Sequence, residues 1–306
     1  MNIYSSSPCV LQPADLEEIA KDEELAKQIR DCNIYVISKR PRLSAVPASI
    51  QIEDGVLKGD LQISLPEGPR VIPFSVPERL PPEITTAKAS EYPHTRIRLY
   101  DSNGNLHRGY PISFLLPIIK SELGSHADLE IIYVGQAYGN AGSRNALDRL
   151  QAHSTLQKIL ADMSAHEPHV EAWLFLYRFE FHKFILSMDG LSNTQISDHR
   201  DRQHYLDILS AKFERSMRIS VAEAALIRWF QPKYNEIYKS KFPHNKHKIL
   251  KKVYDLDFAG LSVEINSEEI NARLCTAVAS PKYHHICNFN LHSVNERKSF
   301  FFGSAL

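Results

Sequence analysis

The side chains best suited to do chemistry fall in two stretches. The first is EIIYVGQAYGNAGSRNALDRLQAHSTLQKIL, residues 130–160. A run that reads as a buried strand ends in Tyr133-Val134-Gly135, a loop follows, and a helix then carries Arg149 and His153 four residues apart, on one face. The second, AEAALIRWFQPKYN at 222–235, sets Glu223 on a separate helix and Asn235 just past its end. Each of these types has a use in phosphodiester hydrolysis. A forked guanidinium such as Arg149 can hold two oxygens of a pentavalent phosphate as charge develops, and His153 can serve as acid, base or phosphate donor. Gly135 marks a place where backbone can turn or approach a substrate closely. Taken singly, each also has a plainer use: Tyr133 as filler at a strand end, Arg149 and His153 as solvent-facing helix residues, Asn235 as loop chemistry after a helix. Ser220-Val221-Ala222-Glu223 is also a capping box, which would make Glu223 purely structural.

These residues need elements to hold them. An acidic helical segment, ADLEEIAKDEELAKQIRD, leads into alternating runs NIYVIS, SIQIEDG and VLKGDLQISL that read as strands. Prolines crowd residues 66–93, which disfavours a long helix or a central strand and predicts an irregular connection or edge strands. A domain boundary is placed near residue 90. Beyond it RIRLYD and LHRGY read as two strands around a turn, PISFLLPIIKSEL as an apolar helix, and LEIIYVG as the strand bearing Tyr133. NALDRLQAHSTLQKILADM has helical spacing, VEAWLFLYRFEFHKFIL is a long aromatic strand, residues 198–216 form a helix, and Ser220 opens another that Pro232 helps end. The expectation is an α+β fold of three parts: an N-terminal mixed accessory region (1–90), a site-bearing domain (91–238), and a basic segment with a β-rich extension (239–306).

The order Tyr-Val-Gly, Arg-Leu-x-x-His, an aromatic strand, then Glu-x-x-Leu-Ile ending in Pro-x-x-Asn resembles the GIY-YIG nuclease family over about residues 95–236. That resemblance implies a small antiparallel sheet flanked by helices, and DNA-strand hydrolysis with Mg²⁺ or Mn²⁺. It implies that Tyr133 contacts or helps activate the attacking water, that Arg149 steadies phosphate with His153 beside it, that Glu223 binds the metal, and that Asn235 orients phosphate or backbone nearby. The family's first tripeptide, Gly-Ile-Tyr, is absent as a string; Tyr100 in RIRLYD and Tyr110 in HRGYP are the nearest substitutes upstream of Tyr133. The loop before Arg149, with Arg144, has the composition of a substrate-contacting flap.

Composition sets limits on this reading. The chain has 306 residues, 43% of them hydrophobic, with 36 basic and 36 acidic side chains, so any grip on nucleic acid must come from a local patch rather than an overall field. The run KSKFPHNKHKILKK at 239–252 offers one, with Lys246, Lys248, Lys251 and Lys252 as candidate phosphate contacts. Four cysteines without a CxxC pair are too sparse for a disulfide framework, and neither a leader nor an apolar span is evident, which points to a cytoplasmic protein without a membrane partner. Cys275, His284, His285, Cys287 and His292 are spaced too irregularly for a zinc site and are expected to pack. The leading expectation is a DNA endonuclease, sequence-specific in the restriction or mobile-element manner, for which a homodimer is one route to a double-strand break. Two alternatives stay open: a nucleic-acid-binding protein that has lost catalysis on the same scaffold, and a protein-interaction module.

Overall fold

The structure is a computed structural model, and it describes residues 1–137, 150, 154–183, 198–211, 214–235, 251 and 253–302. In chain order the strands are β1 (Asn2–Ser5), β2 (Cys9–Leu11), β3 (Ile34–Pro41), β4 (Leu43–Ala45), β5 (Gln51–Glu53), β6 (Val56–Ile63), β7 (Arg70–Arg79), β8 (Ile84–Ala89) and β9 (Arg96–Asp101). They continue with β10 (Leu106–Pro111), β11 (Lys120–Ser121), β12 (Leu129–Gln136), β13 (Val170–Tyr177), β14 (Phe179–Lys183), β15 (Gly260–Asn266), β16 (Leu274–Cys275) and β17 (His284–Asn290). The helices are α1 (Leu16–Lys21), α2 (Glu23–Ile29), α3 (Ile112–Leu115), α4 (Ser154–His166), α5 (Asp198–Ser210), α6 (Arg215–Phe230) and α7 (Val294–Phe302). The class is α+β. No helix among the described residues is long and apolar enough to cross a membrane, and the four cysteines are free thiols.

The central sheet runs β16-β12-β3-β13-β2, with β3 antiparallel to both β12 and β13. Strand periodicity explains why β3 is its middle member. Ile34 and Val36 enter one hydrophobic core while Tyr35 and Ile37 enter the other, so both faces are covered and the run from Ile34 to Ile37 is apolar at every position. One face packs on α6 and on a second sheet, β14-β1-β15-β17. The opposite face is covered by α1, α2 and α4, through Leu16, Ile29, Leu156, Ile159 and Met163. The aromatic segment expected as one long strand is two: β13 stays in the central sheet, and after Arg178 β14 pairs with β1 in the second sheet.

The expected boundary near residue 90 falls instead inside a sheet, because β8 and β9 on either side of it are hydrogen-bonded neighbours. The division lies at residues 42 and 128. Between β3 and β12 the chain builds a separate β-domain with its own core, in which sheets β11-β7-β6-β4 and β10-β9-β8 pack against each other through Leu61, Ile63, Phe74, Ile97 and Leu99. Residues 1–41 are therefore no accessory region: they supply the centre and one edge of the sheet that carries Tyr133. Chain order conceals this, since β3 and β12 pair over the whole length of the insertion.

Two further differences have local causes. The apolar segment expected as a long helix forms only the single turn α3, since Pro117 lacks the amide a continuing helix would use. The proline-rich region yields the ten-residue strand β7, paired along one edge with β6 and on the other, among the described residues, only at Phe74 and Ser75 with β11. That open edge is where a strand tolerates Pro73 and Pro77.

Candidate functional site

Tyr133 and Gly135 stand where expected, on β12, but the aromatic ring beside Tyr133 belongs to Tyr35 of β3. The register pairs Gly135 with Tyr35 and Tyr133 with Ile37, and the two tyrosine rings lie 6.0 Å apart between centroids, tilted by 30°. A β-bulge between Ile131 and Tyr133 shifts the alternation so that Tyr133 joins Tyr35 on the same face. Glycine at 135 is required by this arrangement. A Cβ there would fall 2.5 Å from the Tyr35 hydroxyl and 2.7 Å from Cε1 of Tyr133, so the rings occupy the space a side chain would need. Tyr35 is buried and Tyr133 half-buried, so Tyr133 is the member that reaches the surface.

Tyr100 and Tyr110, the expected partners, lie instead on β9 and β10 of the inserted domain, beneath Lys88 and Arg108 respectively. They belong to a different sheet from Tyr133. The tyrosine that does stand beside Tyr133, Tyr35, is one that sequence reading passes over: it sits in Asn33-Ile34-Tyr35, and the whole insertion separates it from Tyr133. The available signal is the string Ile-Tyr-Val-Ile, four apolar positions in succession at the start of the strand, which is the mark of a central strand rather than an edge one.

Asn235 has a definite task. Its Oδ1 accepts from the Val134 amide at 2.8 Å and its Nδ2 donates to the Val134 carbonyl at 2.7 Å, with the Asn buried at 4% exposure. Tyr234 adds a backbone bond to the Ile132 carbonyl at 3.0 Å. Beyond Glu130, where β16 ends its pairing, the outer edge of β12 has no neighbouring strand among the described residues, and these two residues take the strand's place. Of the two roles expected of Asn235, phosphate or backbone, the amide fork is given to backbone, and it fixes the peptide between Tyr133 and Gly135. The turn is staked in its own right: the Tyr234 hydroxyl donates to Asp162 of α4 at 3.1 Å, and burial together with that carboxylate pushes the Tyr234 phenol up to about 12.

Glu223 lies in the middle of α6, 4% exposed. The helix begins at Arg215, with Glu214 as its cap, five residues before Ser220, so Ser220 opens nothing and the capping-box role is ruled out. It ends as expected, at Phe230, with Gln231 left-handed ahead of Pro232. From Met217 to Ile227 every residue but Arg218 is buried, because α6 runs between the central sheet and the second sheet and packs against β12. A helix covered all round is ordinarily apolar, and a carboxylate buried in such a place is held by partners that satisfy it.

Arg144, Arg149, His153, Lys246, Lys248 and Lys252 lie outside the described residues; Lys251 is exposed. His285 packs structurally, with Nε2 against the Leu274 carbonyl at 2.8 Å and its ring edge-on to Phe230. A cavity of about 440 Å³ between the insertion and the C-terminal segment is bordered by Arg40, Trp173, Asp128 and Arg273. Arg40 there is tied to Glu171 at 2.9 Å and stacked 4.9 Å from the Trp173 ring. Comparison of the chain with protein-family models, with curated proteins and with solved structures finds no match in any of the three.

Proposed function

We propose that the chain is a divalent-metal-dependent endonuclease of the GIY-YIG kind, acting on DNA, whose two tyrosine-bearing strands are parted in sequence by an inserted β-domain. The observation that carries this reading is the Tyr35–Tyr133 pair across Gly135 on adjacent antiparallel strands. Asn33-Ile34-Tyr35 then stands for the family's first tripeptide and Tyr133-Val134-Gly135 for its second, which supplies the element missing from the linear sequence. The helix with Glu223 and the Asn235 clamp follow in the family's order.

In this reading Tyr133, half-buried at the surface, accepts a hydrogen bond from the attacking water, and Tyr35 backs it. Asn235 holds the strand so that Tyr133 and Gly135 keep their positions, and Arg149 spreads its guanidinium across two phosphate oxygens. Water's oxygen forms a bond to phosphorus, the opposite phosphorus–oxygen bond breaks, and the proton that water gives up passes by way of solvent to the departing oxygen. Mg²⁺ sites use one or two carboxylates completed by waters and substrate phosphates. In this reading Glu223, at the position on α6 that the resemblance assigns to the metal-binding carboxylate, would be the protein ligand. Among the described residues no group of three or more His, Cys, Asp or Glu is gathered to form an all-protein cage. A divalent cation held there would stabilise the charge that builds on phosphate oxygens.

The test is to incubate the purified chain with supercoiled plasmid and Mg²⁺. Nicking or linearisation by the wild type, and its loss in Glu223→Ala, is the expected result. Equal behaviour of the two would remove Glu223 from the reaction.

A further inference from the structure

The solvent face of the sheet β8-β9-β10 in the inserted domain carries an unusual set of side chains. Lys88 on β8 stands directly opposite Arg98 on β9 in the register, and Arg98 in turn faces Gly109 on β10. Arg96 lies two residues before Arg98 on the same face, and Tyr100 two residues after it. Like charges directly opposed across a ladder are destabilising, and no carboxylate in the ladder relieves them. The positions that pair with this row are Thr86, Lys88, Leu106, Gly109 and Pro111, none of them acidic. Asp101, at the strand end, is occupied by the amides of Asn103 and Asn105 at 2.9 and 2.8 Å. Arg96 reaches only the Gly109 carbonyl, at 3.4 Å, and neither Lys88, Arg96 nor Arg98 forms an ion pair with any described residue. The domain is not basic as a whole: Glu67, Glu78, Glu83 and Glu91 lie in its other strands and turns. Lys88, Arg96 and Arg98 form a basic row on one sheet face, while Lys58, Arg70, Arg79 and Lys120 are spread over the other sheet.

From this juxtaposition of Lys88, Arg96 and Arg98 we propose that the solvent face of β8-β9-β10 is a docking surface for the phosphate backbone of double-stranded DNA. The choice of DNA rests on the nuclease reading above. The choice of duplex comes from the face itself. Single strands are held by open aromatic platforms on which bases stack, whereas the aromatic in this row of β9, Tyr100, has Lys88 Nζ over its ring at 5.8 Å. Side chains two apart on a strand are separated by about 7 Å, so Arg96 and Arg98 can each take a separate phosphate, and the Lys88–Arg98 repulsion is relieved when an anion lies between them. Such contacts position the substrate without reading its sequence.

The experiment uses the full chain carrying Glu223→Gln, so that substrate survives, and a fluorescein-labelled duplex of about 30 base pairs of random sequence. Binding is measured by anisotropy across a salt series. With Lys88→Ala, Arg96→Ala and Arg98→Ala added, affinity should fall at least tenfold, and the slope of log K against log salt should shrink by about 2, one unit for each phosphate no longer neutralised. An unchanged slope and affinity in a variant that melts like its parent would overturn the proposal. So would absence of duplex binding by the parent at low salt, or a tenfold preference for a single strand of DNA or RNA. A protein that binds duplex through these residues yet never cuts plasmid would overturn the nuclease reading alone. One that cuts plasmid and binds duplex equally well without them would overturn this inference alone.

Discussion

Replacing Asn235 by alanine should destabilise the fold by about 3 kcal/mol. Two hydrogen bonds, at 2.8 and 2.7 Å, join its amide to the backbone of Val134. Removing one partner of such a buried bond leaves the other group unsatisfied at a cost of about 1 to 3 kcal/mol, so the two bonds together put about 2 to 6 kcal/mol at stake. Val134 is wholly buried, so water reaches its amide and carbonyl only through the space the asparagine vacates; admission of one water would return part of the loss, which sets the figure in the lower half of that range. Urea unfolding followed by circular dichroism measures it, with the midpoint falling at unchanged slope. Asn235→Asp should be at least as damaging, because a carboxylate oxygen would then face the Val134 carbonyl in place of a donor. A loss below about 1 kcal/mol for the alanine variant, no more than a single ordinary hydrogen bond contributes, would refute the claim that this clamp holds the outer edge of β12.

Two further outcomes follow from the cores. Tyr177 is wholly buried and its hydroxyl finds no hydrogen-bond partner among the described residues, so Tyr177→Phe should stabilise the protein by about 1 to 2 kcal/mol in the same assay; a destabilised variant would mean the hydroxyl is satisfied. His285 donates from Nε2 to the Leu274 carbonyl while its Nδ1 accepts from Trp229 at 3.4 Å, which holds the ring neutral, and burial, with Lys282 and His284 nearby, keeps its pKa below the ordinary 6.5. The unfolded chain therefore takes up this proton first: the contribution is fully present above about pH 6.5 and is lost as pH falls below it. Thermal midpoints should drop more in the wild type than in His285→Gln as pH is lowered from about 7.5 to about 5.5 across that range, and parallel curves would contradict the assignment.

Local patterns in the sequence are reliable wherever the relevant contact is local. The strand LEIIYVG, the end of α6 before Pro232 and the acidic helices near the N-terminus are all legible from periodicity and breakers, and so is the α+β class. Two errors share a cause in long-range pairing. NIYVIS reads as a strand but falls to an accessory region, because nothing within it announces that its partner is β12, beyond the whole insertion. For the same reason Tyr100 and Tyr110 stand in for Tyr35: they are nearer to Tyr133 along the chain, while Tyr35 is nearer across the sheet. Ser220 shows the opposite failing, a local signature without its context. Its capping box is well formed as a string, but Glu214 starts the helix earlier, and only burial on all sides shows that residue 223 is in the helix interior.

The tyrosine pair tests the account most directly. Plasmid cleavage with Mg²⁺ should be measured for Tyr35→Phe beside Tyr100→Phe and Tyr110→Phe, with melting temperatures recorded for each. Tyr35 acts through Tyr133, which meets the water, so loss of the hydroxyl that backs it should slow cleavage measurably in Tyr35→Phe at an unchanged melting temperature, and leave Tyr100→Phe and Tyr110→Phe cutting at the wild-type rate. Full activity in Tyr35→Phe, or its loss in either of the other two, would contradict a site built where β3 and β12 meet.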